Sequence, residues 1–316
     1  MWIVLAFVYL YVSTSVLLFH GPFHSLRKFF IQSVATSRHG YLLTALSLDT
    51  VPKSEINAVH NKLNHGIPSA PVTTVRNFSQ INDGSIKQYT VAGHTYTANV
   101  MIISNPNRVK VAITKYLGQQ GETVLEMAQD AHAVAAINAG AFEDVQYRGT
   151  GGIPLGITMH GGKLLQNDKS QWASQPVIAI TKNGQLICGN YPLAKLEDMG
   201  TQEAVSFGPV LIQNGQPASG VGGWGIAPRT AIGQTASGAI IFVVTDGRLI
   251  HGGNDLGATM QDLQQIMLKF GAVTAANLDG GSSATMVYNG KLVNQPTDVL
   301  GQRKVATSFI VLPNHG

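Results

Sequence analysis

The sequence predicts an α+β fold: a mixed, hairpin-rich central sheet with a few packed helices, preceded by an N-terminal transmembrane helix. Three observations predict it. Asn-Gly and Gly-Gly pairs recur between alternating apolar runs, two capped amphipathic segments interrupt those runs, and the first stretch, Trp2 to Phe19, is apolar and uncharged. Glycine numbers 35 residues and charged residues make up only 12%, a balance that favours many turns over long helices.

Trp2 to Phe19 (WIVLAFVYLYVSTSVLLF) is long enough to cross a bilayer as a helix. No basic stretch precedes it and no small-x-small site follows it, so it reads as an uncleaved anchor rather than a signal peptide. Arg27, Lys28 and Arg38 follow the span, which by the positive-inside rule favours a cytosolic domain, although long domains cross despite such charges. Residues 20–50 read as an amphipathic juxtamembrane segment. Val51 to Val75, polar with three prolines, reads as a linker. The expected division is an anchor at 1–20, a juxtamembrane segment and linker at 21–84, and a globular domain at 85–316.

Hairpin signals dominate from Ser85 onward. TANVMIISNPNRVKVAIT (97–114) is two alternating runs joined by Asn-Pro-Asn. Turns are expected at Gly161-Gly162, Asn183-Gly184, Asn214-Gly215 and Asn289-Gly290, because such pairs supply the left-handed conformations that tight hairpins need. Helices are expected over Thr123–Ala133, opened by a Thr123/Glu126 capping box, and over Thr259–Phe270, opened by Thr259 and Asp262. The second places Met260, Leu263, Met267 and Phe270 on one face. Similar text follows each helix, AVAAINAGAF (133–142) and AVTAANLDGG (272–281). Either one helix–strand unit is used twice, presenting Asn138 and Asn277 at one edge of a sheet, or two small-residue strands coincide.

Several function classes drop out. The net charge of +4 comes without a Lys/Arg cluster, so no nucleic-acid surface is expected. The single cysteine, Cys188 in QLICG, excludes an intrachain disulfide and reads as buried filler. There is no H-E-x-x-H or EF-hand spacing, so neither a metal nor a cofactor is expected, and a cation held by Asp246 or Asp279 with loop carbonyls is left as an alternative without support in the residues. Ser283 lacks a G-x-S-x-G elbow, which argues against a serine-hydrolase triad. His160 and His251 neighbour hairpin glycines and receive no role.

Chemistry points to AANLDGGSSAT (275–285), a strand running into a tight glycine loop that carries Asp279. Glycines admit close approach to a ligand, and consecutive loop N–H groups form an anion-binding concavity. The alternative is a glycine turn capped by an aspartate. Four further stretches accompany it in order: NAGAF (138–142) with GTGGIPLGI (149–157), SFGPVL (206–211), PRTAIG (228–233) leading to TDGR (245–248), and RKVATSFIVL (303–312).

In this order the stretches resemble the phosphodiester glycosidase family, whose animal member removes N-acetylglucosamine from mannose-6-phosphate tags. The likeness covers roughly residues 95–312, and the anchor followed by HSLRKFF looks like a membrane-tethered bacterial branch. One departure is visible: Ser282 stands where the family often has a third glycine. The resemblance implies hydrolysis of a sugar-1-phosphodiester in a cell-wall polymer or exopolysaccharide, by a domain outside the cell membrane. It casts Asp279 as the main carboxylate, Asp246 as a further catalytic candidate and Arg229 as the phosphate binder. Asn138, Gly140, Asn277, Gly280, Gly281, Ser282, Arg248 and Arg303 are the implied substrate-binding positions.

The residues themselves leave other readings open. Arg229 also fits an ion pair holding a turn, Asp246 and Arg248 a hairpin end, and Asn138 and Asn277 internal bridges. Glu143 and Asp144 are either second carboxylates or a solvated pair. The rival function is a non-catalytic surface module that binds a carbohydrate polymer.

Overall fold

The computed structural model describes residues 2–35, 40, 42–64, 75–144, 150–248, 252, 254–297 and 301–314. Chain contacts divide it into two units: residues 1–65 with 222–226, and residues 66–221 with 227–316.

The first unit holds α1 (Trp2–His20), α2 (His24–Ala35), α3 (Leu42–Leu46) and α4 (Lys53–Asn64). Among the described residues α1 is the one helix long and apolar enough to cross a membrane. Phe19, Ile31, Ala35, Leu43 and Val51 form a small core, and Arg27 grips Glu55 bidentately at 2.7 and 2.8 Å. Residues 53–64 are helical where the sequence led to a linker. Ile56 and Val59 sit one turn apart and pack on that core, an apolar pair outweighed by polar neighbours in a composition reading.

The second unit runs β1 (Ile86–Ala92), β2 (Thr97–Ile103), β3 (Val109–Ile113), α5 (Val124–Asp130), β4 (Ala135–Asn138), β5 (Thr158–His160), β6 (Lys163–Gln166), β7 (Gln175–Thr181), β8 (Leu186–Tyr191), α6 (Leu193–Asp198), β9 (Thr201–Val205), β10 (Val210–Gln213) and β11 (Gln216–Pro217). It continues with β12 (Arg229–Thr235), β13 (Ile240–Thr245), α7 (Met260–Lys269), β14 (Ala272–Leu278), β15 (Met286–Tyr288), β16 (Lys291–Leu292) and β17 (Thr307–Val311). The expected hairpin-rich α+β architecture is present. Its strands are arranged as three sheets, ordered β1-β2-β13-β12-β14-β10-β11, β16-β15-β4-β17-β3 and β6-β5-β9-β7-β8. Every described strand pairing is antiparallel.

Local chemistry accounts for most elements. The β5–β6, β7–β8, β10–β11 and β15–β16 hairpins close at the Gly-Gly and Asn-Gly turns read from the sequence. Asn214 and Gly215 adopt φ 50° and 75°, and Asn289 and Gly290 adopt 47° and 72°, the primed-turn geometry that matches strand twist. Thr123 and Thr259 cap α5 and α7 with complete capping boxes. Met260, Leu263 and Met267 are buried as expected, and Phe270 rests on Tyr89 with ring centroids 5.2 Å apart.

The stretch 97–114 is not a hairpin. Asn105 caps a short 3-10 turn opened by Pro106, accepting from Asn107 N–H at 2.9 Å, and that turn carries the chain from one sheet to another. One apolar core serves all three sheets, with Phe242 of the seven-stranded sheet, Phe309 of the β4–β17 sheet and Ile178 of the third in the same cluster. Cys188 lies in that core as filler, and burial pushes its thiol up to about 12, where it is inert at neutral pH.

Candidate active site

Both helix–strand units deliver their ends to one place, but from different sheets: β4 ends at Asn138 in the five-stranded sheet and β14 carries Asn277 in the seven-stranded one. Of the two readings of the repeated text, the one that puts both asparagines at one sheet edge is therefore set aside. The β14–β12 ladder ends at the Leu278–Thr230 pair, and Asp279, the next residue, changes partners. Its N–H donates to Ala139 O at 3.0 Å, and its carbonyl accepts from Asn138 Nδ2 at 2.5 Å.

Beyond Asp279 the chain makes a single 3-10 turn, Gly281–Ser283. Gly280 N–H donates to the Asp279 Oδ1 at 2.9 Å, and Gly281 N–H to Pro228 O at 2.8 Å. Two glycines are required here. A Cβ on Gly280 would lie 2.9 Å from Pro228 O; one on Gly281, at φ 60°, would lie 3.1 Å from Arg248 Nη2. Ser282 is buried.

That packing brings two arginines to the loop. Arg229, the first residue of β12, is buried, donates through Nε to Ala258 O at 3.3 Å, and passes beside Gly280. Arg248 holds a left-handed φ of 56° just past β13 and touches the Gly281 site. Burial, and then the Arg248 charge, lower the Arg229 pKa to about 10, so Arg229 stays charged at neutral pH. Burial pushes the Asp279 carboxyl above its ordinary range and Asp144 adds to that push. The Ser283 hydroxyl, the Arg303 charge and Gly280 N–H oppose it.

Arg303 lies just ahead of β17, ion-paired with Asp144 and stacked over Phe142 with its guanidinium carbon 4.7 Å from the ring centroid. Asp144 is thus a partner of Arg303, while Glu143 is exposed. Gly140 N–H donates to Thr307 Oγ1 at 3.0 Å.

Two of the expected positions hold neighbouring loops. Asp246 is buried and accepts from Gln295 N–H at 3.1 Å, fastening that loop to the end of β13. Asn277 is buried against the SFGPVL strap, donating to Gly208 O at 2.9 Å. His160 pairs with Glu203, and His251 lies outside the described residues. Among the described residues no three His, Cys, Asp or Glu side chains group to hold a metal ion.

The profile of the phosphodiester glycosidase family matches residues 131–312, more than half of the chain. This chain belongs to the phosphodiester glycosidase family. It is 28% identical over 202 residues to the SPbeta prophage-derived uncharacterized protein YomE of Bacillus subtilis (strain 168), covering 61% of this chain and 30% of that protein. It is 38% identical over 122 residues to N-acetylglucosamine-1-phosphodiester alpha-N-acetylglucosaminidase of Homo sapiens, covering 39% of this chain and 20% of that one. The chain thus spans less than a third of the length of these relatives. The fold is similar to the catalytic domain of the zebrafish N-acetylglucosamine-1-phosphodiester alpha-N-acetylglucosaminidase, auto-inhibited by its pro-peptide. That likeness has a TM-score of 0.59 at 22% identity, over 72% of this chain and 82% of that one.

Within this phosphodiester glycosidase domain, sequence reasoning passed over three residues of the cluster. Thr230 donates to Asn138 Oδ1 at 2.7 Å, Thr285 N–H donates to the same atom at 3.1 Å, and Phe142 carries Arg303. All three stand inside quoted motifs, but nothing local separates a threonine that braces a site from one that fills a strand.

Proposed function

We propose that this chain hydrolyses a sugar-1-phosphodiester at the bond between the anomeric carbon and the phosphate oxygen. One observation carries the reading: the loop that presents Asp279 packs Arg229 beside Gly280 and the Arg248 guanidinium against Gly281, two glycines that admit no side chain. Paired guanidiniums suit a phosphate, because the planar fork binds two of its oxygens at once. The carboxylate then faces the ring being released.

In the reaction, the anomeric carbon–oxygen bond breaks and its electron pair leaves with the phosphate. Asp279 either attacks the anomeric carbon, with water later displacing it, or takes a proton from the water that attacks directly. Either way water supplies hydroxyl to the sugar, and a phosphate monoester departs. The departing group is already a good one, so the arginines neutralise its charge where an ordinary glycosidase would need a strong general acid. In this reading Asp246 and Asn277 shape the site from behind, and Arg303 sets the charge balance around Asp279. A sugar phosphate within a wall polymer or exopolysaccharide is the substrate class we favour. The apolar α1 supports a single-span membrane anchor, and the family likeness is what favours placing the domain outside the cell.

The test is the release of free sugar from a chromogenic sugar-1-phosphodiester by the full chain and by Asp279→Asn. The substitution is expected to lower turnover by about 10³-fold or more, in the range for loss of a reacting group, while the protein still folds. Unchanged turnover rejects the role of Asp279. Saturable binding of the diester without product by the parent chain favours the binding-module reading instead.

A further inference from the structure

We infer that Asn138 and Thr230 form a positioning clamp that fixes the Asp279 peptide, and that Asn138 does not touch the sugar. The inference rests on the catalytic role proposed for Asp279. Asn138 is fully buried, and the protein itself takes up both ends of its side-chain amide. Oδ1 accepts from Thr230 Oγ1 at 2.7 Å and Thr285 N–H at 3.1 Å, and Nδ2 donates to Asp279 O at 2.5 Å. The amide has one orientation. Flipping it would set its NH₂ against the Thr285 N–H and its oxygen against the Asp279 carbonyl.

The adjoining residue completes the grip. Ala139 O accepts the Asp279 N–H at 3.0 Å, so two consecutive residues of the β4 end hold both polar groups of the Asp279 main chain. Asp279 has just left the β14–β12 ladder and has no partner strand of its own there. The clamp replaces that strand. It also joins the two sheets at the reacting carboxylate, because Asn138 belongs to one sheet and Thr230 to the other. A carboxylate held at both ends of its own peptide cannot swing with loop fluctuations, and a displacement of about 1 Å at a reacting group costs on the order of 10²-fold in rate.

The experiment compares Thr230→Val, Thr230→Ser, Asn138→Ala and Asp279→Asn in the full chain, with kcat and KM on a chromogenic sugar-1-phosphodiester. Thr230→Val keeps the side-chain shape and removes only the hydroxyl. It should lower kcat by about 10- to 100-fold with KM within about twofold, and Thr230→Ser should restore most of the loss. Asn138→Ala should behave like Thr230→Val. Amide hydrogen exchange of the peptide covering 277–286 is read in parallel and needs no turnover; it should speed up at least about tenfold in Thr230→Val but not in Thr230→Ser. A rise in KM with kcat unchanged would mean Asn138 contacts substrate, and the clamp is wrong. Parental kcat and exchange in Thr230→Val also overturn it, while a dead Asp279→Asn leaves the catalytic reading standing. If Asp279→Asn keeps parental turnover, the catalytic reading falls, whatever the exchange shows, and the clamp loses its catalytic purpose.

Discussion

The domain holds two carboxylates in different ways, one buried and one partly exposed. Glu203 sits in β9 with both oxygens occupied. It accepts from Val111 N–H at 2.9 Å and Gly161 N–H at 3.3 Å, meets His160 Nδ1 at 3.1 Å and faces Lys110 Nζ at 3.6 Å. Donors converge on it from β3 and from the β5–β6 turn, and the group is a rivet. Asp279 keeps a partly open carboxylate whose described hydrogen-bond donors come from its own loop, while its main chain is gripped from outside. Its pKa is raised by burial, and the Arg303 charge opposes that shift without cancelling it. Burial alone therefore does not mark a site. What separates the two is which part of the residue the protein restrains: the side chain of Glu203, the backbone of Asp279.

Substitutions can break this contrast. After Asp279→Asn itself, the largest effect is expected from Arg248→Gln, which removes a guanidinium from the proposed phosphate grip. It should lower kcat/KM by about 10²- to 10³-fold, whereas Lys110→Met beside Glu203 should leave kcat/KM within about twofold. Glu203→Gln comes next and should act on stability alone. It turns one acceptor into a donor facing donors, which should cost about 2–3 kcal/mol and lower Tm by several degrees, with turnover of the folded protein preserved. Equal losses of activity at both carboxylates would erase the distinction.

Two smaller effects sharpen it through pH. Because the Asp279 pKa is raised, the acidic limb of kcat/KM should lie above the ordinary carboxylate range. Arg303→Gln removes a charge that pulls this pKa down and frees Asp144 to push it up, so the limb should move further toward neutral pH. The second effect is on stability. An acid with a raised folded pKa binds more protons folded than unfolded, so its contribution to stability falls as pH rises from the ordinary carboxylate value through the folded one. Asp279→Asn should therefore melt slightly higher than the parent at neutral pH, with the difference vanishing in acid. Differential scanning calorimetry across that range checks the sign.

The sequence told part of this and hid the rest for physical reasons. Turn and cap chemistry is local, so Asn214-Gly215, Asn289-Gly290, Thr123 with Glu126 and Thr259 with Asp262 announced their elements before any partner was known. Partner choice is not local. The runs on either side of Asn105-Pro106-Asn107 alternate as a hairpin would, yet β2 pairs with β1 and β13, and β3 with β17. The motif order picked out Asp279, Arg229, Arg248 and Arg303, because chemistry-bearing residues are recognisable by type. It gave no sign of which way each polar side chain faces. Asn138 and Asn277 look alike in the sequence; one braces Asp279 and the other the Gly208 carbonyl. Thr230 looked like any strand threonine until its hydroxyl was seen on Asn138.

The most direct test of the account follows the oxygen of water. Hydrolysis of a sugar-1-phosphodiester in H₂¹⁸O should place the label on the anomeric hydroxyl of the released sugar and none on the phosphate monoester. Label on the phosphorus would show cleavage of the phosphorus–oxygen bond, and would contradict a site in which the acid faces the sugar and the arginines hold the phosphate.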